Sequence, residues 1–324
     1  MRRHLRNSVK SLVVSMVVVL AILITAPVAF SQQYRITIAS CGTGGGYYVY
    51  AGGLAELISN KTPNLIATAE VTGCSVANVR LVAQKEADIG FLMGDVAWES
   101  FNGKGRFEGE QIEDIRAIFS MYPDWWTWIS IKGKSIQKLS DMVGKKVSSG
   151  SPGSGVEYMF NNVITALGYQ AKDFQISRLS FADQVNALKD GVIDVGSWST
   201  AMSTSSIIDL GTTHPISIVS LTEEEITKIT AMYPFYFRGE IPAGAYPGID
   251  QPIVTIYTPN MAIVHKDLPE EVVYQIVKAT FDNIEDLKKV HPCAVDTTLE
   301  NAPNVPLPLH PGAERYFKEK GVLQ

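Results

Sequence analysis

The chain has 324 residues, with 28 Lys and Arg against 33 Asp and Glu, a formal charge of −5. Four of the basic residues, Arg2, Arg3, Arg6 and Lys10, precede an apolar run over 12–25 and the small residues Ala29 and Ser31, the pattern of a cleaved secretory signal at 1–31. The remaining 293 residues carry 24 basic and 33 acidic side chains, which excludes nucleic acid as a natural partner and exceeds one typical core, so two lobes are expected.

After the leader, strands and helices alternate. Residues 35–40 read as a strand, 47–59 as a helix, 66–71 as a strand, 75–84 as a helix and 89–92 as a short buried strand before a helix from Val96. Tyr47, Tyr50, Leu54, Leu57 and Ile58 recur at helical spacing and define a core face. Two strands follow at 115–121 and 125–131, with Trp126 and Trp128 on one side and Thr127 and Ile129 on the other. A second set then opens: strands at 146–148, 175–179, 192–195 and 216–220, helices at 155–167, 181–189, 203–210 and 223–230. Strands at 253–257 and 262–264, a long helix at 270–289 and a last helix at 313–320 complete the chain. Alternation of this kind predicts an α/β fold, each lobe a mixed, mostly parallel sheet flanked by helices.

Cys41 ends the first strand and Cys74 follows the second. Consecutive parallel strands commonly lie side by side, so a Cys41–Cys74 disulfide is expected at the mouth of a site, two free buried thiols being the alternative. Cys293 is then left over.

The loops at the strand ends are rich in glycine and hydroxyls. The first contains Gly42, Thr43, Gly44, Gly45 and Tyr47, the second Cys74 and Ser75, and the third Asp95. The second set offers Ser151, Gly153, Ser154 and Gly155, then a loop at 196–200 with Trp198. Glycines admit close approach to a ligand, and helix starts offer free N–H groups, so these loops make an anion or carboxylate cradle without arginine. The spacing fits neither a dinucleotide fingerprint nor a phosphate-binding P-loop. Ser75, Ser154 and Asp95 also read as helix caps, a role compatible with ligand binding for the serines. No nucleophile elbow surrounds Ser151 or Ser154, and His4, His214, His265, His291 and His310 show no metal-ligand spacing. A non-enzymatic protein without cofactor or metal is expected.

Segments in order along the chain resemble the TAXI family of solute receptors, the exported binding proteins of tripartite TRAP transporters. They include Gly42-Thr43-Gly44-Gly45-Gly46-Tyr47-Tyr48, Thr72-Gly73-Cys74-Ser75-Val76-Ala77-Asn78, Glu86-Ala87-Asp88-Ile89-Gly90-Phe91, Ser151-Pro152-Gly153-Ser154-Gly155 and Pro308-Leu309-His310-Pro311-Gly312-Ala313. The resemblance spans 35–322 and implies a two-lobed periplasmic binding protein with a hinge of two crossing segments. The lobes would be 32–127 with 258–324, and 128–257, with the hinge at 128–132 and 253–257. It also implies a small organic carboxylate as ligand (an amino acid, dicarboxylate or 2-oxo acid) and TRAP membrane permease subunits as partners. A sensor that presents its bound solute to a membrane signalling protein is the alternative, and a monomer is the default. The carboxylate would rest on Ser75, Ser151, Ser154 and the amides of the first loop, with Thr43, Tyr47 and Trp198 shaping the pocket. The chain departs from the family at Cys41, Gly46, Cys74, Met93, Val156 and Trp198, Val156 removing a ligand hydroxyl; fewer hydroxyls and more Trp suit a ligand with one carboxylate and a larger apolar part.

Overall fold

A computed structural model describes residues 33–43, 45–290 and 292–323. The signal sequence and Gly44 lie outside the described residues. The strands are β1 (Tyr34–Ala39), β2 (Leu65–Glu70), β3 (Ile89–Met93), β4 (Ile115–Ile131), β5 (Lys146–Ser148), β6 (Gln175–Ser177), β7 (Val195–Thr200), β8 (Ile216–Ile218), β9 (Phe237–Ile241) and β10 (Ile253–His265). The helices are α1 (Gly46–Lys61), α2 (Ser75–Ala83), α3 (Gly94–Asn102), α4 (Gly155–Ala166), α5 (Phe181–Lys189), α6 (Ser205–Thr213), α7 (Glu223–Met232), α8 (Glu270–Asp282), α9 (Ile284–Lys288) and α10 (Pro311–Glu319).

The strands form one mixed sheet in the order β2-β1-β3-β10-β4-β7-β5-β6, with β8 added to β4 and β9 to β10. β1 is parallel to β2 and β3, and β5 is parallel to β6 and β7. Between these parallel groups run β4 and β10, antiparallel to each other and shared by both. Each was read from the sequence as two strands, but each is continuous. Pro123 and Asp124 resemble a break, yet Pro123 pairs opposite Pro259, where the register shifts, and Asp124 opposite Thr258. Beyond that point the Thr255 hydroxyl donates to the Trp126 carbonyl at 2.7 Å.

Helices cover both faces of each parallel group. On the first, α1, α8 and α10 bury Tyr50, Leu54, Val273, Ile276 and Phe317 against Ile36, Phe91 and Phe119. The opposite face packs Val79, Val82 and Val96 on Leu92, Ile115 and Ile263. The second group has its own two layers. Trp126, Trp128, Val147, Phe160 and Val163 fill one, and Ile129, Val185, Trp198, Ile207 and Leu210 the other. Trp126 and Trp128 of β4 are therefore core residues, their rings 5.3 Å apart edge to face. Among the described residues no helix is long and apolar enough to cross a membrane.

Candidate functional site: a cavity ringed by helix starts

Side-chain amides fix the loops at the strand ends. Asn78 of α2 donates to the carbonyls of Ala39, Ser40 and Phe91 at 3.1, 2.7 and 2.7 Å, clamping the ends of β1 and β3 to one helix. Thr72 donates to the Ser40 carbonyl at 3.0 Å and accepts from the Cys74 N–H at 3.2 Å. Cys41 and Cys74 are joined as a disulfide, with Cα atoms 4.4 Å apart, because β1 and β2 pair in parallel and bring their C-terminal loops together. Across the sheet, the Gln184 amide makes two bonds to the backbone of Ser197, at 2.8 and 3.1 Å, and so fixes β7 against α5. Glu157 accepts the Gly153 N–H at 2.8 Å and pairs with Arg178 at 2.8 Å. Gly153 holds φ +74°, a left-handed conformation that favours glycine.

These loops enclose two small adjoining cavities that share Cys41, Cys74, Val156 and Phe181, each of about 20 Å³, room for about one water molecule. Gly45, Tyr47, Ser75 and Gly155 line the larger one, together with Met93, Asp124, Ser199 and Thr200. Gly42, Thr43, Ser151 and Ser154 line the smaller. No Lys, Arg or His lines either cavity among the described residues.

The donors here are backbone amides. α1, α2 and α3 begin at the cavity with Gly45, Cys74 and Met93 as N-caps; the starts of α1 and α2 meet no side-chain cap, whereas the Val96 N–H in the first turn of α3 donates to the Asp95 carboxylate at 2.7 Å. Helix first turns carry N–H groups with no partner within the helix, and the dipole adds partial positive charge. By contrast, the helices of the second group that meet the cavity are capped by Ser154 on α4 and Ser180 on α5.

The two halves touch across the cavity. A Cβ on Gly155 would stand 2.7 Å from the Ser75 hydroxyl and overlap the Met93 sulfur. Gly45 faces the Phe181 ring in the same way, at 3.2 Å. Glycine at 155 permits this close approach.

Several residues have roles other than those read from the sequence. Ser75 does not cap α2; its hydroxyl accepts the Met93 N–H at 3.3 Å and faces the cavity. Ser154 does cap α4, accepting from Glu157 N at 3.1 Å and donating to the Ser151 carbonyl at 2.7 Å, so its hydroxyl is already engaged. Asp95 lies outside both linings. It is fully buried, with one oxygen on the Val96 N–H at 2.7 Å and the other on the Tyr236 hydroxyl at 2.7 Å. Trp198 stands one layer behind the wall, fully buried, stacked on Phe181 and donating to Ser206 at 3.2 Å. The stretch 196–200, read as a loop, belongs to β7, and alternation sends Trp198 away from the cavity that Ser199 reaches. Gly153 supports its loop without lining either cavity.

Asp124 is the residue that sequence reading missed. It is 5% exposed, lies at the middle of β4 and lines the larger cavity. Its carboxyl meets the Asn260 side chain. Asn260 in turn accepts from the Tyr47 hydroxyl and donates to the Tyr122 carbonyl at 2.9 Å. Burial raises Asp124 to about 7, with nearby Asp95 adding to the shift, and burial raises Asp95 to about 6. A lone carboxylate between Pro123 and the tryptophans of an apolar strand was the available signal.

A wider groove of about 550 Å³ opens at the same crossing, lined by Trp125, Tyr257 and Phe237. Alternation along β4 and β10 puts it on the sheet face opposite Asp124, and it has no helix starts or glycine loops in its walls.

A family model described as the NMT1-like family matches residues 38–321. The chain belongs to the NMT1-like family. Solved structures share its fold at low identity. A Bordetella bronchiseptica RB50 protein superposes with a TM-score of 0.53 at 16% identity, covering 90% of each chain. A Xanthomonas citri protein bound to ATP gives 0.51 at 11% identity, over 90% of this chain and 97% of that one. The Streptococcus mutans structure of glutathione import via GshT and the cystine ABC importer TcyBC gives 0.51 at 12% identity, over 82% and 97%. The fold of this NMT1-like chain, a mixed α/β sheet of two parallel groups flanked by helices, is the one these structures share.

Proposed function

We propose that the chain is an exported solute receptor that works in the periplasm, closes its two lobes on a small carboxylate and hands it to a membrane permease. One observation carries this reading: the starts of α1 and α2, without side-chain caps, converge on a cavity that both halves of the sheet wall in. Such amides hold a carboxylate without a cationic side chain, and ligands of open α/β sheets bind at these strand ends. In this reading β4 and β10, the two strands shared by both groups, are the crossing segments, and the lobes open about 128–132 and 253–257. The segments that resemble TAXI receptors favour a TRAP permease driven by an ion gradient. The importer named with the Streptococcus mutans structure is of the ABC type, which makes ATP-driven uptake the second reading.

The test is a thermal-shift screen of the mature chain after unfolding and refolding to strip carried solute. A binder at 100 times its dissociation constant adds about 2.7 kcal/mol of stability. A carboxylate that shifts the transition supports the reading, and a panel of amino acids, dicarboxylates, 2-oxo acids and monocarboxylates that all leave it unmoved counts against it. Reconstituting receptor and permease in vesicles separates the two modes of energising: uptake on a sodium or proton gradient without ATP supports the first, strict ATP dependence the second.

A further inference from the structure

The receptor reading leaves one group unexplained. A site for an anion has a buried carboxylate in its wall, at Asp124. The titratable groups around it are Asp95 on α3, Tyr47 on α1, Tyr122 on its own strand, Tyr246 and Cys293. All are acidic or neutral, and among the described residues none brings a positive charge to it. Asn260, which holds the Tyr47 hydroxyl and the Tyr122 carbonyl, stands beside the Asp124 carboxyl. Asp124 thus lines the cavity with no positive charge from the described residues beside it.

We propose that Asp124 is the counter-charge for a cationic group on the ligand, so that the cavity selects an ammonium carboxylate, the amino-acid class, over dicarboxylates and 2-oxo acids. This rests on the receptor reading above. The lining combines groups of opposite character. Uncapped starts of α1 and α2 bring partial positive charge at Gly45, Gly46, Cys74 and Ser75, and Asp124 brings negative charge from β4. A zwitterion matches both. A dianion would set its second carboxylate in the same cavity as Asp124, with like charges facing in a site sheltered from water. Met93, Val156 and Phe181 leave the rest of the lining apolar, which suits an apolar side chain. Burial raises the Asp124 carboxyl toward neutrality in the empty site; an ammonium group beside it would return it to the charged form.

Calorimetry on the refolded chain tests this with matched probes: L-leucine and L-glutamate, their 2-oxo analogues, and glutarate. The amino acid that binds should do so about 100-fold more tightly than its oxo analogue, the scale of a buried charge pair that loses one partner. Asp124→Asn should remove that preference by weakening the amino acid while leaving the oxo acid's weak binding in place. If the variant does not fold, the wild-type pH dependence decides: amino-acid affinity should fall from pH 8 to pH 5 as Asp124 is protonated. An oxo acid or glutarate binding as tightly as the amino acid overturns the proposal and leaves the receptor reading standing. So does unchanged amino-acid affinity in Asp124→Asn, or tighter binding of the acids at pH 5, which would make Asp124 a protonated donor to a carboxylate. Silence from every probe overturns both readings.

Discussion

Tyr236 donates a 2.7 Å hydrogen bond to Asp95. It joins the start of α3, packed on the first parallel group, to the segment before β9, packed on the second. Asn162 of α4 completes the link by donating to the Tyr236 hydroxyl at 3.0 Å. Removing the hydroxyl takes the partner from one buried carboxylate oxygen and leaves the other on the Val96 amide. Tyr236→Phe should cost about 1.5–3 kcal/mol, the range for a bond to a charged group. Burial has raised Asp95 to about 6, so ionised Asp95 already lowers stability as pH rises through that value. The variant's deficit should therefore be larger at pH 8 than at pH 4.5 in denaturant titrations.

Asp124 follows the same sign. Its carboxyl is raised to about 7 by burial, so the ligand-free fold is favoured below the unfolded value of 3.8 and loses stability as pH rises to about 7. Asp124→Asn removes that loss. The ligand-free variant should match wild type at pH 4 and exceed it at pH 8 by a few kcal/mol, since each tenfold change in the protonation equilibrium is worth about 1.4 kcal/mol. Thermal unfolding at the two pH values measures it.

Gly155 sits where the two halves approach each other. An added Cβ would meet Ser75 and Met93, and overpacking of this kind costs about 1–3 kcal/mol. Because the contact is between halves, Gly155→Ala should weaken ligand binding by about that amount and change ligand-free stability less. Calorimetry and unfolding of the same variant separate the two.

The Cys41–Cys74 disulfide spans 33 residues of sequence. Loop closure on that scale is worth about 3–4 kcal/mol. Reduction, or a double substitution to alanine, should lower the unfolding midpoint accordingly. Both cysteines line the cavities, so ligand affinity should drop with it.

Ser154→Ala removes a cap and the bond to the Ser151 carbonyl. Stability should fall by about 1 kcal/mol, with ligand affinity largely intact, because that hydroxyl is committed within its own loop. Denaturant titration and calorimetry on the one variant check both halves of this expectation.

What the sequence reveals depends on how local the cause is. The face of α1 is legible because Tyr47, Tyr50, Leu54, Leu57 and Ile58 repeat at helical spacing, and all five are buried. The glycine loops are legible because turn chemistry is local. Asp124 is not, since Pro123 and Asp124 imitate a turn. The strand continues because Pro123 and Pro259, which need no N–H partner, face each other at the register shift. That depends on a strand distant in sequence. Trp198 failed as a pocket residue for a related reason: the extent of β7 fixes its side, and Gly196 and Ser199 hide a strand behind loop-like composition. The hydroxyl of Ser154 looks the same in sequence whether it faces a ligand or its own helix.

The central claim is that the cavity between the helix starts is a ligand site. Calorimetric titration of the refolded mature chain, beside a Gly155→Leu variant that fills the gap against Ser75 and Met93, tests it most directly. The account predicts one molecule of an amino acid bound per chain, with no measurable binding in a variant that still folds. Equal binding by wild type and Gly155→Leu, or no binding of any carboxylate by wild type, would contradict it.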